Sequence, residues 1–243
     1  MSKADLHVHS KYSNHPSERF LQRLGASESY TEPEFIYQSA KEKGMDFVTV
    51  TDHNKIEASL FLKERYPEEC FTGVESTAYF PEDGCKVHVL IYGFGERQSA
   101  EIQRVRKDIY DLRDYLVENR LAHSVAHATY SVNGRLTISH LERLLLLFDI
   151  FEGANGGRHR LHNETWTAVL ASLKPDILDD LRRKHRIEPL SDTAWIKGFT
   201  GGSDDHAGLF IGQTNTTAAA TGLIFGSCRR KHAGMKGFDS SGA

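Results

Sequence analysis

The chain has 243 residues, of which 39% are hydrophobic and 26% are charged, and its formal net charge is −3. This length favours one large domain or two small ones, and the composition is typical of a globular protein, so a collagen-like or wholly disordered chain is excluded. No apolar run has the length of a membrane span, and no apolar segment near the N-terminus resembles a secretory signal. The slightly negative charge argues against a general electrostatic attraction to long nucleic acids.

Cysteine is scarce and histidine is abundant. Cys70, Cys85 and Cys228 are too few and too scattered for a disulfide framework or a thiolate zinc site, so a reducing, cytoplasmic location fits best. Several of the 13 histidines stand beside Asp or Glu in short apolar runs. Imidazole and carboxylate are the ligands that suit zinc, iron and manganese when cysteine is absent. The composition alone therefore suggests a metal site.

Short apolar runs predict buried strands at residues 46–51, 86–92, 123–127 and 148–151, after a first strand at residues 4–10. Between them, a capping-box spacing at Thr31 and Glu34 predicts a helix that stops at Gly44. One apolar stripe predicts a long helix over residues 100–120. Thr137 is expected to cap another helix that ends near Leu147, and residues 160–186 are expected to be helical with a break at Pro175.

Strands that alternate with helices indicate an α/β fold with parallel pairing. The sequence has no repeat and no long linker before about residue 217, so residues 1–217 are expected to form one domain. Residues 218–243 are rich in alanine and glycine at their start. They are expected to be a final helix with a frayed end, or the start of a linker in a longer protein.

Histidines and carboxylates stand at the ends of five separate predicted strands. His7 and His9 are two residues apart on the first strand, so both side chains point to one face and can hold one ion. Asp204 and His206 repeat this spacing in a glycine-rich segment. The other positions are His53 after residues 46–51, Glu75 at the end of residues 72–75, His88 within residues 86–92, and His127 at the end of residues 123–127. A single buried histidine is more often structural than a ligand. In a closed parallel barrel, however, these strand ends would converge on one face, where active sites are built.

This ordered set of motifs resembles the PHP (polymerase and histidinol phosphatase) family of metal-dependent phosphoesterases. The match extends from residue 5 to about residue 212 and consists of Asp5-Leu6-His7-Val8-His9-Ser10, Thr51-Asp52-His53, Gly73-Val74-Glu75, His88, Ala126-His127 and Ser203-Asp204-Asp205-His206. The resemblance implies a distorted, TIM-like (β/α)7 barrel. It also implies two or three divalent transition-metal ions, which would be Mn²⁺, Zn²⁺ or Fe²⁺.

The resemblance further implies how the ligands are shared among the ions. His7, His9, Glu75 and Asp204 would hold one ion, Glu75 would bridge to a second ion that His88 and His127 also hold, and His15, His53 and His206 would form a third set. Many family members carry Asp where this chain has Asn14. In a three-metal subgroup a histidine fills that role, and in this chain His15 stands next to Asn14. Asp52 is expected to orient a ligand histidine, because metal-bound imidazoles usually have such a partner.

Nine ligands without cysteine exceed what a structural zinc site uses. Clustered ions stabilise the attacking and leaving oxygens of phosphoryl transfer and lower the pKa of bound water. The implied reaction is hydrolysis of a phosphate ester by a metal-activated water, with Glu75, Asp204 and His206 as catalytic residues. The substrate phosphate is expected at Arg158, with Asn155 and His159 behind it and Lys11 as a weaker candidate. A loop arginine in solvent is the simpler interpretation of Arg158.

The leading expectation is a phosphoesterase for a small phosphorylated molecule or a nucleotide. An oligonucleotide exonuclease with the same site is the second, although it would need a positive groove with stacking aromatic residues. A non-catalytic metal-binding module of a larger protein is the third, and its intact ligand set argues against it. Hydrolysis of a C–N bond, as in other metal barrels, is the fourth. None of these expectations specifies an oligomeric state.

Overall fold

The computed structural model describes residues 1–13 and 28–218, and these residues adopt a mixed α/β fold with two sheets. Asn14 and the expected ligand His15 lie outside the described residues. So do residues 219–243, which make up nearly all of the expected C-terminal tail.

Within the described part of the chain, the two sheets together contain eight strands: β1 (Ser2–Asp5), β2 (Phe47–Val48), β3 (Gly73–Tyr79), β4 (Lys86–Tyr92), β5 (Ala122–Val125), β6 (Ile150–Asn155), β7 (Gly198–Gly202) and β8 (Thr216–Ala218). One sheet has the order β2-β1-β8, and the other has the order β3-β4-β5-β6-β7. β1 runs parallel to β2 and antiparallel to β8. β5, β6 and β7 run parallel to one another.

The expectation of parallel pairing throughout is wrong for β4, which is antiparallel to both of its neighbours. Residues 80–85 join β3 to β4 as a hairpin, with Phe80 N donating to Cys85 O at 2.9 Å and Gly84 at a φ of +69°. A connection this short cannot make the crossover that parallel strands need. β4 therefore returns along β3, and β5 then runs in the direction of β3 again.

Seven helices lie in the described ranges: α1 (Pro33–Glu42), α2 (Glu57–Arg65), α3 (Glu96–Val105), α4 (Ile109–Glu118), α5 (Ile138–Leu147), α6 (Arg160–Ala171) and α7 (Pro175–His185). None of these described helices has the length and apolar character needed to cross a membrane. Thr137 caps α5 by accepting a hydrogen bond from His140 N, as predicted. Pro175 begins α7 and separates it from α6, which confirms the predicted break.

Two helix predictions need correction. Residues 100–120 contain parts of two helices, because Asp108 accepts a hydrogen bond from Tyr110 N and starts α4 as a new helix. The predicted apolar stripe is nevertheless buried on both helices. α1 begins one residue later than the capping-box pattern indicates, with Glu32 at its N-cap and no side-chain cap.

The two sheets meet along two seams that position the residues after the strand ends. Isolated parallel bridges join Val8 to Asp205 on one side, and Val48 to Cys70 and His53 to Glu75 on the other. Asp5 reinforces the first seam, because its buried carboxylate accepts hydrogen bonds from Ser203 N at 2.9 Å and Gly212 N at 2.8 Å. Burial raises the pKa of Asp5 to about 6, despite the hydrogen bonds that lower it.

The first seam is also tight. Gly202 lies so close to His7 that a Cβ atom there would be 2.4 Å from His7 Cβ. Only glycine allows this approach, which fixes the backbone of His7 against the end of β7.

Candidate metal centre

The structure brings together eight of the nine expected ligands, all of those that lie in the described residues: His7, His9, His53, Glu75, His88, His127, Asp204 and His206. They come from segments that follow β1, β2, β5 and β7 and from within β3 and β4. Glu75 and His88 each occupy the third position of their strand instead of a strand end. Because β4 is antiparallel to β3, the start of β4 lies near the same edge as the ends of the parallel strands.

Glu75 stands at the centre of this group. Its Oε1 lies 2.6 Å from His88 Nδ1 and 3.0 Å from His127 Nε2. Its Oε2 lies 3.3 Å from His7 Nε2, 3.2 Å from His9 Nε2 and 3.0 Å from His53 Nδ1. The two oxygens of one buried carboxylate thus face two different sets of imidazoles.

Asp204 also lies beside His7 and His9. The Nε2 atoms of His7 and His9 are 3.1 Å apart, and Asp204 Oδ1 lies 3.4 Å from the first and 3.5 Å from the second. Two ligands bound side by side to one ion lie about 3.0 to 3.4 Å apart when each bond is about 2.1 Å long. The two imidazoles and the two flanking carboxylates therefore have the spacing of ligands that share a cation.

The other ring nitrogens explain why the Nε2 atoms can act as ligands. His7 Nδ1 lies 2.9 Å from Oε1 of Glu152, a buried carboxylate on β6. His9 Nδ1 lies 3.0 Å from Ser13 Oγ, which donates its own proton to Asp52. Both Nδ1 atoms therefore act as donors, and the proton of each neutral ring is on Nδ1. The lone pair is then on Nε2, which points into the cluster.

Asp52 reaches a histidine only indirectly. Its carboxylate accepts hydrogen bonds from Ser10 N at 2.7 Å, Ser10 Oγ at 2.6 Å and Ser13 Oγ at 3.0 Å. The expected contact between Asp52 and a ligand imidazole thus runs through Ser13 to His9. Glu152 makes the direct contact of this kind, to His7.

Two expected ligands have unusual backbone conformations. The φ angles of His127 and Asp204 are 24° and 51°, in a region that residues with a side chain rarely adopt. Such conformations persist only where the surrounding structure holds them, and they cluster at functional sites. His127 is held by its amide, which donates to Glu152 Oε2 at 2.8 Å, and Asp204 by its amide, which donates to His7 O at 2.6 Å.

Burial and mutual attraction act in opposite directions on the ionisable groups. Burial by itself would raise the pKa of Glu75, but the charges of His88, His53 and His7 hold it well below its usual range. Burial likewise opposes the charge on His53, yet Glu75 and Glu28 raise the pKa of His53 to about 10. For His88, burial prevails and lowers the pKa to about 4. A proton on His53 thus supplies cationic charge beside Glu75, and metal binding at this histidine would release it.

A divalent cation fits the donor set on a second, independent ground. Several buried polar atoms of the cluster have no hydrogen-bond partner: Glu28 Oε2, His53 Nδ1, Glu75 Oε2, His88 Nδ1 and His206 Nε2. Leaving such atoms unpaired costs free energy unless something binds them. A set of imidazole and carboxylate donors with no thiolate suits zinc, iron and manganese.

The ligand groups only partly match the expected sharing. Three-residue groups with ligand atoms within 4.8 Å of one another are His7-His9-Glu75, His53-Glu75-His88, His7-His127-Asp204 and His9-His53-His206. The first matches the expected first set, and the last contains the two described histidines of the expected third set. His127 lies with His7 and Asp204 in one of these groups, as well as beside Glu75.

Arg158 lies at the edge of the cluster, as the phosphate hypothesis requires. Its Nη2 is 3.6 Å from Asp204 Oδ2, and its guanidinium lies 3.8 Å from the ring centre of Tyr130. The Arg158 side chain is 30% exposed. The Tyr130 ring in turn contacts His127 edge-on at 5.6 Å.

The other expected phosphate contacts have partners in the protein. Asn155 Nδ2 donates to Glu152 Oε2 at 2.8 Å and to Asp204 Oδ2 at 3.1 Å, so both of its protons are used. Asn155 therefore holds Asp204 in place and has no amide proton left for a phosphate. His159 Nδ1 accepts a hydrogen bond from Leu161 N and caps α6. Lys11 is exposed and lies 2.8 Å from Glu32.

Two carboxylates of the cluster were not expected from the sequence. Glu152 directly follows residues 148–151, which are predicted to be a buried strand, and a charge there is costly unless it is paired. The charge at this position could therefore have marked Glu152 as a candidate member of the cluster. Glu28 lies in a segment without any periodic pattern, and nothing in the local sequence marks it.

No family model matches the chain. An uncharacterised protein of Methanocaldococcus jannaschii is 40% identical to it over 62 residues, which are 26% of this chain and 34% of that protein. The matched segment thus spans about a third of the length of this curated relative.

Three solved structures resemble the chain at low similarity. A presumed metal-dependent phosphoesterase from Bifidobacterium adolescentis has a TM-score of 0.47 at 15% identity, over 84% of this chain and 87% of its own. An amidohydrolase from Chromobacterium violaceum, with bound sulfate and no metal, has a TM-score of 0.48 at 17% identity, over 84% and 87%. PsfC from Pseudomonas syringae has a TM-score of 0.48 at 13% identity, over 88% and 80%. Similarity at this level does not transfer an activity to this chain.

Proposed function

We propose that this protein is a metal-dependent phosphoesterase that hydrolyses a phosphate ester of a small molecule or nucleotide. The observation that carries this proposal is the position of Glu75, whose two oxygens face two separate sets of imidazoles. A carboxylate in that position suits a bridge between two ions. Two adjacent ions suit reactions in which both an attacking and a leaving oxygen need stabilisation.

In this proposal the first ion is held by His7, His9, Glu75 and Asp204, and the second by Glu75, His88 and His127. Bound there, divalent ions would supply Lewis acidity and activate water at neutral pH. His206 stacks on His9 with ring centres 4.1 Å apart and directs Nε2 away from Asp204. We assign His206 with His53 to a third ion.

Arg158 would bind the phosphate of the substrate. A guanidinium presents two parallel N–H donors that match phosphate oxygens. Stacking on Tyr130 holds the Arg158 group beside Asp204, and Arg158 Nε is buried without a hydrogen-bond partner. Asn155 would act on Asp204 instead of on the substrate.

We further propose that the two sheets close into the distorted barrel implied by the sequence motifs. The bridges Val8–Asp205 and His53–Glu75 support this closure, because they join the sheets at both seams. His9 N donates to Asp205 O at 2.9 Å across one seam, and Asn54 N donates to Glu75 O at 2.9 Å across the other. Both amides should therefore exchange slowly with solvent deuterium, and fast exchange at either would contradict closure.

Metal content and hydrolysis test the proposed function together. Protein purified without chelator should hold at least two transition-metal ions per chain, and it should release phosphate from one or more members of a panel of phosphomonoesters, cyclic nucleotides and short oligonucleotides in Mn²⁺. Glu75→Ala and Asp204→Ala should each abolish hydrolysis, since both carboxylates contact the paired imidazoles. Glu142→Ala is a matched control, because Glu142 also contacts a histidine, His185, but lies on α5 away from the cluster.

Less than one metal ion per chain would reject the metal centre. More than a tenth of the wild-type activity in Glu75→Ala or Asp204→Ala would reject the roles of these carboxylates. Activity restricted to oligonucleotides would favour the exonuclease alternative over a small substrate.

A further inference from the structure

A carboxylate that the sequence does not single out lies against two histidines of the cluster, on the side opposite Glu75 and Asp204. Glu28 Oε2 is 3.2 Å from His53 Nε2, and Glu28 Oε1 is 3.6 Å from His206 Nε2. The Glu28 side chain is only 9% exposed. Both histidines thus direct Nε2 toward Glu28, while their Nδ1 atoms face the other two carboxylates.

Two atoms of this arrangement lack a conventional hydrogen bond. Glu28 Oε2 and His206 Nε2 are both buried without a hydrogen-bond partner. His206 Nδ1 lies 3.0 Å from the carbonyl oxygen of Asp204. A carbonyl oxygen can only accept, so Nδ1 carries the proton and Nε2 of the neutral ring carries a lone pair.

A lone pair on His206 Nε2 therefore faces a carboxylate oxygen, which also offers only lone pairs. Two such groups repel each other unless a cation lies between them. Their distances, 3.2 and 3.6 Å, are close to the separation of about 3.0 to 3.4 Å for adjacent ligands with bonds of about 2.1 Å. His53 and His206 would bind an ion as neutral imidazoles and would leave its charge uncompensated. A carboxylate at this position would offset part of that charge.

We propose that Glu28 is a direct ligand of a divalent cation held together with His53 and His206. This inference rests on the proposed metal centre and adds a carboxylate to its third ion. His15 was expected to join these two histidines, so Glu28 would be the charged member of the set.

Titration of chelator-treated protein with Mn²⁺, with free Mn²⁺ measured by electron paramagnetic resonance, counts the ions that each variant binds. Glu28→Gln keeps the size and shape of the side chain, but an amide oxygen is a poor ligand for a transition metal. Glu28→Gln should therefore bind one ion fewer per chain than the wild type, or bind one ion at least tenfold more weakly. The affinity of the remaining ions should stay within about twofold of wild type.

Glu32→Gln is the matched control, because Glu32 is an exposed carboxylate four positions along the same segment. It should bind the wild-type number of ions. In excess chelator, both variants should still unfold in a single cooperative transition as the wild type does, which separates a lost ligand from a damaged fold.

The possible outcomes distinguish this inference from the proposed function. Wild-type stoichiometry and affinity in Glu28→Gln would overturn the inference while leaving the metal centre intact. Loss of an ion in Glu28→Ala but not in Glu28→Gln would also overturn it, since Glu28 would then only orient His53. Failure of the wild type to bind Mn²⁺ or Zn²⁺ would overturn the proposed function itself.

Discussion

Replacing Glu152 by glutamine should weaken metal binding more than removing the side chain altogether. Glu152 Oε2 accepts two hydrogen bonds of 2.8 Å, from His127 N and Asn155 Nδ2, and Oε1 faces His7 Nδ1 at 2.9 Å. A glutamine would keep its carbonyl oxygen toward the two N–H donors and turn its amide nitrogen toward His7. Because an NH₂ group only donates, His7 Nδ1 would have to accept, and the proton of the neutral ring would move to Nε2.

The expected loss of metal affinity depends on which ring nitrogen of His7 can no longer bind the ion. His7 Nε2 lies within 3.4 Å of His9, Glu75 and Asp204, and a protonated nitrogen cannot bind a cation. Removing the partner of a ligand histidine typically lowers metal affinity by about 10- to 100-fold, which corresponds to about 1.4 to 2.7 kcal/mol. Glu152→Ala should fall near the lower value, because water can accept the Nδ1 proton. Glu152→Gln should reach or exceed about 100-fold.

Competition with a chromophoric chelator for Zn²⁺ measures these affinities on chelator-treated protein. Glu142→Gln provides the control, since Glu142 contacts His185 at 2.7 Å outside the cluster, and its affinity should equal that of the wild type. Affinity in Glu152→Gln equal to wild type, or greater than in Glu152→Ala, would refute the tautomer argument.

Two further predictions concern cationic side chains. Arg158→Lys should lower kcat/KM by about ten- to a hundredfold, because a hydrogen bond to a charged group contributes about 1.5 to 3 kcal/mol. Metal content should stay constant. Unchanged kcat/KM in both Arg158→Lys and Arg158→Ala would show that Arg158 does not hold the phosphate. Burial lowers the pKa of Lys197 from 10.5 to about 8, so between those pH values the unfolded chain binds more protons than the folded one, and stability should rise with pH. From pH 8 to pH 10.5, the free energy of unfolding of the wild type should therefore increase by about 3 kcal/mol relative to Lys197→Met, measured by chemical denaturation; a difference that does not change with pH would contradict the assigned burial.

The candidate ligand set could be predicted from the sequence because its signals are local. The spacing of His7 and His9, and of Asp204 and His206, places both members of each pair on one side of the chain, and the structure does bring these four residues together. Helix boundaries were also predictable where a capping residue or a proline marks them, as Thr137 and Pro175 do.

The direction of β4 and the role of Glu28 depend on contacts between distant segments. Alternating apolar runs indicate strands but carry no direction, and only the short connection over residues 80–85 marks the hairpin. Glu28 becomes significant only once His53 and His206 lie beside it, and these residues are brought there by β2 and β7. The partners of Asn155 could not be predicted for the same reason, since Glu152 and Asp204 come from β6 and from the segment after β7.

The seam between β1 and β7 also determines when the candidate metal centre can form during synthesis. His7 O accepts hydrogen bonds from Asp204 N and Ser203 Oγ, and the second contact joins residues 196 positions apart. At a synthesis rate of about 5 to 20 residues per second, a ribosome needs about 10 to 40 s to pass from one partner to the other. For that interval the nascent chain carries His7 and His9 without Asp204, the carboxylate that flanks them. Loading of the proposed metal centre would therefore be a late event in the synthesis of each chain, and a nascent chain released before residue 204 would carry the paired imidazoles without their second carboxylate.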